Sequence, residues 1–109
     1  MSPGAGLAHP NILFVVVDDH RADAIGALGY PTVCTPVLDG LVRRGTAFTR
    51  ATIQGSLMPA VCAPSRAAML TGRLSSAVGC YDNAADFPSS TLTLAHYLRH
   101  QGYRTCLSG

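Results

Sequence analysis

Cys62, Pro64 and Arg66, in the middle of the chain, have the residue types and spacing for chemistry on an anion. If Pro64 occupies the first turn of a helix, Cys62 and Arg66 lie about one turn apart on the same face. The backbone N–H groups at a helix N-terminus favour a negative charge, and an arginine donates paired hydrogen bonds to an oxyanion. The pattern indicates an oxyanion site. The alternative is a buried cysteine next to an arginine that pairs with a carboxylate.

Two adjacent carboxylates, Asp18 and Asp19, follow the apolar run Ile12–Val17. Such a run predicts a strand covered on both faces, and sites in open α/β sheets form at the carboxyl ends of strands. Neighbouring carboxylates repel each other unless a cation or hydrogen-bond donors neutralise them, and oxygen ligands suit calcium or magnesium. Asp18 and Asp19 are therefore candidate metal ligands, with a solvated acidic pair as the alternative.

The sequence disfavours several other kinds of chemistry. Cysteine-dependent phosphatases place their arginine two positions beyond Arg66, where this chain has Ala68. The net charge of +2 is spread along the chain and forms no basic patch, so we expect no nucleic-acid partner. The four cysteines lack zinc-site spacing, and no apolar stretch reaches membrane-spanning length, so we expect no membrane partner.

The elements that must position these residues alternate between strands and helices. We predict strands over 11–17, 46–53 and 103–107. Helices are predicted over 37–44, over about 64–70 and from a cap at Thr91 to about 101, each followed by a glycine. This order predicts an α/β fold. Because so few strands cannot cover the apolar run on both faces and both edges, we expect a truncated N-terminal portion of a larger sheet.

The first ten residues differ in composition from the rest of the chain. Residues 1–10, rich in glycine, alanine and proline, predict a flexible leader, and residues 11–109 form the N-terminal part of one domain. Nothing before Ile12 is typical of a secretory signal, so we expect a cytoplasmic protein if Met1 is the true start. A periplasmic or secreted protein is the alternative if a natural leader has been removed.

Taken together, these motifs resemble those of the formylglycine-dependent sulfatases, members of the alkaline-phosphatase-like superfamily. The resemblance implies a mixed, mostly parallel sheet with flanking helices, present here as its N-terminal portion. One departure is Val37, where the family commonly has asparagine. The matching segments are 11–19, 35–39, 45–48, 55–56, 61–66, 70–73, 91–98 and 102–105.

The resemblance also implies a role for each candidate residue. Cys62 would be oxidised to formylglycine, an aldehyde, by a formylglycine-generating enzyme, and would then act as the nucleophile. Arg66 would hold the modified residue in place. Asp18, Asp19 and the modified Cys62 would bind a divalent cation, usually calcium, with magnesium as the alternative. The implied reaction is hydrolysis of a small-molecule or carbohydrate sulfate ester through a covalent intermediate.

Two other interpretations stay open at this point. A phosphonate or phosphate-diester hydrolase would use the same formylglycine chemistry, and a truncated chain could have no catalytic role. All eight basic residues are arginine, whereas the resembled family uses lysines to hold the sulfate. We therefore expect the 109 residues alone to be inactive and to bind metal weakly.

Overall fold

The computed structural model describes residues 9–21, 23–30, 32–55 and 61–109. Most of the predicted leader lies outside these described residues. The chain divides into two compact units. One unit is Val15–Thr52, and the other comprises the described residues of Met1–Phe14 and Ile53–Gly109. Each unit contains one part of the candidate site predicted from the sequence.

The unit Val15–Thr52 is organised around helix α1, Pro36–Arg44. Thr35 precedes the helix, Pro36 occupies its first position and Gly45 follows its end, so α1 begins one residue before the predicted 37 and ends at the predicted 44. A short 3-10 turn at Gly26–Leu28 packs against α1. The Asp39 carboxylate of α1 accepts a hydrogen bond of 2.9 Å from the N–H of Ala27 and so joins the helix to this turn.

The second unit contains helix α2, Cys62–Thr71, which carries the cysteine and the arginine of interest. Gly72 ends the helix in the left-handed conformation, with φ of 65°, and its N–H donates to the carbonyl of Ala68. A 3-10 turn at Ser75–Val78 follows, and its buried side chains face the helix. The prediction of a helix through Leu70, stopped by Gly72, is confirmed.

Helix α3, Leu94–His100, begins two residues later than the cap at Thr91 would require. Thr93 is the N-cap residue, and a capping box joins its side chain to the N–H of His96 and the His96 side chain to its own N–H. Both threonines are good caps, but only Thr93 has a partner at the required spacing. The prediction was therefore wrong about the start of the helix and right about its position before Gly102.

The strands predicted over 11–17, 46–53 and 103–107 are not present as a sheet. Within the described ranges no strand pairs with another, and the large apolar side chains of the first segment are exposed, including Leu13 at 88% and Val15 at 69%. A strand exists only through hydrogen bonds to a neighbour, so an apolar run predicts a tendency that a partner must realise. No helix in the described part of the chain is long and apolar enough to cross a membrane.

Candidate functional site

Cys62 and Arg66 lie on the first turns of α2, at the positions that the sequence predicts. The N–H of Ser65 closes the first turn on the carbonyl of Val61 at 2.8 Å, and the Ser65 hydroxyl donates to the carbonyl of Cys62 at 3.1 Å. Cys62 is half-buried and Arg66 is exposed. The helix therefore places a free thiol and a guanidinium one turn apart at its positive end.

The face of α2 that carries small residues holds the helix in place. Pro64 and Ala67 are buried, and Ala67 forms a small core with Val78 and Cys80. Ala63 packs against the same core, one residue after Cys62. Small side chains allow this close approach, so the N-terminal turn of α2 is fixed by packing as well as by hydrogen bonds.

Asn83 is a site residue that reasoning from the sequence missed. Its side-chain Oδ1 accepts a hydrogen bond of 2.9 Å from the N–H of Ala63, in the first turn of α2. The residue at the N-cap position, Val61, has no side-chain acceptor to offer this donor. A valine at this position was the available signal, because a helix without a local cap needs an acceptor from elsewhere in the chain.

Asp18 and Asp19 form a turn in the other unit, and both are exposed. Asp19 has a φ of +50°, a left-handed conformation that aspartate and asparagine tolerate better than most residues do. The two adjacent carboxylates provide the oxygen donors that a divalent cation of the calcium or magnesium type prefers. The donor chemistry of this turn thus fits the predicted metal ligands.

The residues just after the aspartate pair are tied to one another. Arg21 and Asp23 form a two-pronged ion pair, with Nε donating to Oδ1 at 2.8 Å. The hydrogen bond from Arg21 lowers the pKa of Asp23. The ring Nε2 of His20 lies 3.1 Å from the carbonyl of Ala24. His20, Arg21 and Asp23 are all exposed, as in a solvated loop.

An open apolar groove of about 610 Å³ lies at the other end of α2, between that end and α3. Its walls include Met69, Leu70, Leu92 and Tyr97. Cys62 and Arg66 are not among its lining residues, so this groove is separate from the candidate chemistry.

Comparison with known proteins identifies the family to which the chain belongs. A family model described as sulfatase matches residues 10–109, which include both aspartates and the whole of α2. The chain therefore belongs to the sulfatase family. Membership implies an α/β fold of the alkaline-phosphatase-like type.

Individual relatives agree with this assignment. Bovine (Bos taurus) arylsulfatase A is 40% identical over 96% of this chain and 22% of its own length. A choline-sulfatase from Rhizobium meliloti and an ulvan-active sulfatase from Formosa agariphila are each 38% identical over 92% of this chain and 19% of their own length. The chain thus spans about a fifth of the length of these curated relatives. No solved structure matches it.

Proposed function

We propose that the protein hydrolyses sulfate esters, with Cys62, converted to formylglycine, as the nucleophile. The single observation that supports this most strongly is the position of Cys62 at the first residue of α2 within a chain of the sulfatase family. The geminal hydroxyls of a hydrated formylglycine would supply a nucleophile and, afterwards, the group that expels sulfate. An unmodified cysteine or serine has no second hydroxyl on the same carbon.

Arg66 has the role of charge stabilisation in this proposal. It lies one turn after Cys62 on the same helix, and a guanidinium donates two parallel hydrogen bonds to a sulfate or to the modified side chain. The positive end of α2 adds a favourable field for the same anion. Together they would stabilise the negative charge that develops on the sulfate oxygens.

Asp18 and Asp19 are proposed to hold a divalent cation, together with the modified Cys62. Each of the three residues offers one ligand atom suited to a metal ion. The cation, calcium in preference to magnesium, would polarise the sulfate group as a Lewis acid. Calcium takes about six to eight oxygen ligands, so further ligands are needed besides these three.

The substrate class and partners follow from the same chemistry. The relatives include enzymes named for choline sulfate and for the 6-O-sulfate of N-acetylglucosamine, a small molecule and a sugar. We propose a small-molecule or carbohydrate sulfate ester as the substrate, and a formylglycine-generating enzyme as the partner that activates Cys62.

The mixed, mostly parallel sheet is likewise proposed for residues 11–109.

Hydrolysis by the full-length protein, produced together with a formylglycine-generating enzyme, tests the proposal. We expect release of inorganic sulfate from an aryl sulfate, and its loss in Cys62→Ala. Arg66→Ala is expected to lower kcat by about 10²-fold or more, because a preorganised donor to developing charge is removed. Cys34→Ala and Arg99→Ala, which change an exposed cysteine and an exposed arginine elsewhere, are the matched controls.

A panel of sulfate, phosphonate and phosphate-diester substrates separates the proposed function from its nearest alternative. Higher kcat/KM on the sulfate ester supports a sulfatase. Higher kcat/KM on the phosphonate or diester would replace this proposal with the alternative hydrolase. Full activity of Cys62→Ala would contradict formylglycine chemistry altogether.

A further inference from the structure

The N-terminal turn of α2 makes no hydrogen bond to the side chain at its N-cap position. The N-cap residue is Val61, whose side chain accepts nothing, and Pro64 has no N–H. The N–H of Ser65 bonds to the carbonyl of Val61, so Ala63 is the residue of this turn whose donor is met from a distance. The acceptor is the side chain of Asn83, twenty positions further along the chain.

The loop that presents Asn83 is held in shape by its own hydrogen bonds. The Asp82 carboxylate accepts from the N–H of Ala84 at 2.9 Å, which forms a tight turn around Asn83. The N–H of Ala85 also lies 3.4 Å from the carbonyl of Asp82. Because the backbone of the turn is already ordered, little further backbone entropy is lost when Asn83 binds the helix.

Packing holds the donor of this hydrogen bond and a residue close to its acceptor. Ala63, which donates, and Ala85, two residues after the acceptor, both pack against the core of Ala67, Val78 and Cys80. The loop and the first turn of α2 thus contact the same core next to the hydrogen bond.

We propose that Asn83 is a positioning residue for Cys62: its side chain caps α2 and fixes the orientation of the first helical turn. This inference rests on the proposed function, because it is the reaction at Cys62 that the orientation would serve. Loss of the cap would let the first turn fray and displace Cys62 relative to Arg66. Small displacements of a reacting group cost rate rather than substrate binding. Asn83 would therefore act through α2 on kcat and leave KM nearly unchanged.

Three substitutions in the full-length protein separate the cap from other effects. Asn83→Leu keeps the size and removes the acceptor, Asn83→Ala removes both, and Asn83→Asp keeps an acceptor with a charge that suits a helix N-terminus. We expect kcat to fall about tenfold in Asn83→Leu and Asn83→Ala, with KM changed less than about twofold. In Asn83→Asp, we expect kcat to stay within about threefold of the unaltered protein. Asp86→Ala, an exposed change in the same loop, is the matched control.

Amide hydrogen exchange at Ala63 gives a readout that does not depend on activity. We expect the exchange rate of this amide to rise at least about tenfold in Asn83→Leu and to stay low in Asn83→Asp. Unchanged Ala63 exchange in Asn83→Leu, or an equal loss of kcat in Asp86→Ala, would overturn the positioning role. Absence of sulfate release from the unaltered protein would instead overturn the proposed function and leave the exchange result to decide the cap.

Discussion

At the scale of single residues, the motifs of Cys62, Arg66 and the Asp18–Asp19 pair are local, so the sequence alone marks them as candidate site residues, and that role stays a prediction. A helix that contains both Cys62 and Arg66 is enough to place them one turn apart, and α2 is that helix. Asn83 could not be predicted in the same way, since its partner Ala63 is distant in the chain and asparagine is common in turns. Capping across a long sequence separation leaves no periodic signal.

The backbone conformation of Asp19 allows its charge to be removed by substitution without straining the turn. Asparagine also tolerates a φ of +50°, so Asp19→Asn removes a negative charge and keeps the turn. We expect the calcium concentration that gives half-maximal hydrolysis to rise at least about tenfold, because one anionic ligand is lost. Asp23→Asn, which changes a carboxylate paired with Arg21, is the control and is expected to leave that concentration unchanged. Equal calcium dependence in Asp19→Asn and the unaltered protein would remove Asp19 from the metal site.

At the scale of elements, α1 and α2 were predictable because a proline lies near the start of each helix and a glycine follows its end. Pro36 with Gly45, and Pro64 with Gly72, mark the limits of the two helices within a residue or two. The start of α3 was missed because two threonines compete for the cap, and the choice depends on His96. Strands could not be settled from local pattern, since pairing depends on partners far away in the chain.

Close packing beside α1 predicts opposite effects for two glycine substitutions. A Cβ at Gly26 would lie 3.1 Å from the Asp39 Oδ2 and 3.3 Å from the carbonyl of Val33, so Gly26→Ala is expected to destabilise the protein by about 1 kcal/mol or more. At Gly40, inside α1, the nearest atom is 3.8 Å away, and alanine is the better helix former. Gly40→Ala is expected to stabilise by about 0.5–1 kcal/mol. Urea unfolding of the two variants of the full-length protein measures both effects, and a Gly26→Ala variant as stable as the unaltered protein would contradict the close packing.

Asp39 links α1 to the 3-10 turn and makes stability depend on pH. The N–H of Ala27 and the hydroxyl of Thr35 both donate to its Oδ1, at 2.9 and 2.8 Å, and these bonds lower its pKa below the usual value. The stabilisation is thus present above about pH 4, the unfolded value, and is lost as the pH falls through the lower folded value. Below pH 4, we expect the urea midpoint of the full-length protein to decrease with falling pH more steeply than that of its Asp39→Asn variant. Asp23 titrates in both proteins and therefore affects both alike. An identical pH dependence of the urea midpoint in the two proteins would show that Asp39 contributes nothing to it.

At the scale of the whole molecule, burial is sparse for a chain of this composition. The hydrophobic fraction is 48%, yet in the described residues the buried hydrophobic side chains are Ala67, Val78 and Cys80. Phe48 is 82% exposed and Leu107 is 97% exposed, and both belong to segments predicted as strands. Exposed apolar side chains in such number indicate surfaces that another structural layer would cover.

The 109 residues produced alone are therefore expected to unfold without a cooperative transition and to turn over no aryl sulfate. So small a core supplies little of the stability that a domain needs, and the three candidate ligands fall short of what calcium requires. Differential scanning calorimetry and a sulfate-release assay are the measurements. A sharp heat-absorption peak, or measurable turnover, would contradict this expectation.

Mass spectrometry of the peptide that carries Cys62 determines whether this thiol is oxidised to the aldehyde. The full-length protein should be isolated from a host that contains a formylglycine-generating enzyme, with the peptide carrying Cys34 measured in parallel as the control. We predict that the Cys62 peptide has the mass of the aldehyde, with the thiol lost, and that the Cys34 peptide keeps its thiol. An intact thiol at Cys62 in such a host would contradict the account of Cys62 as a formylglycine nucleophile.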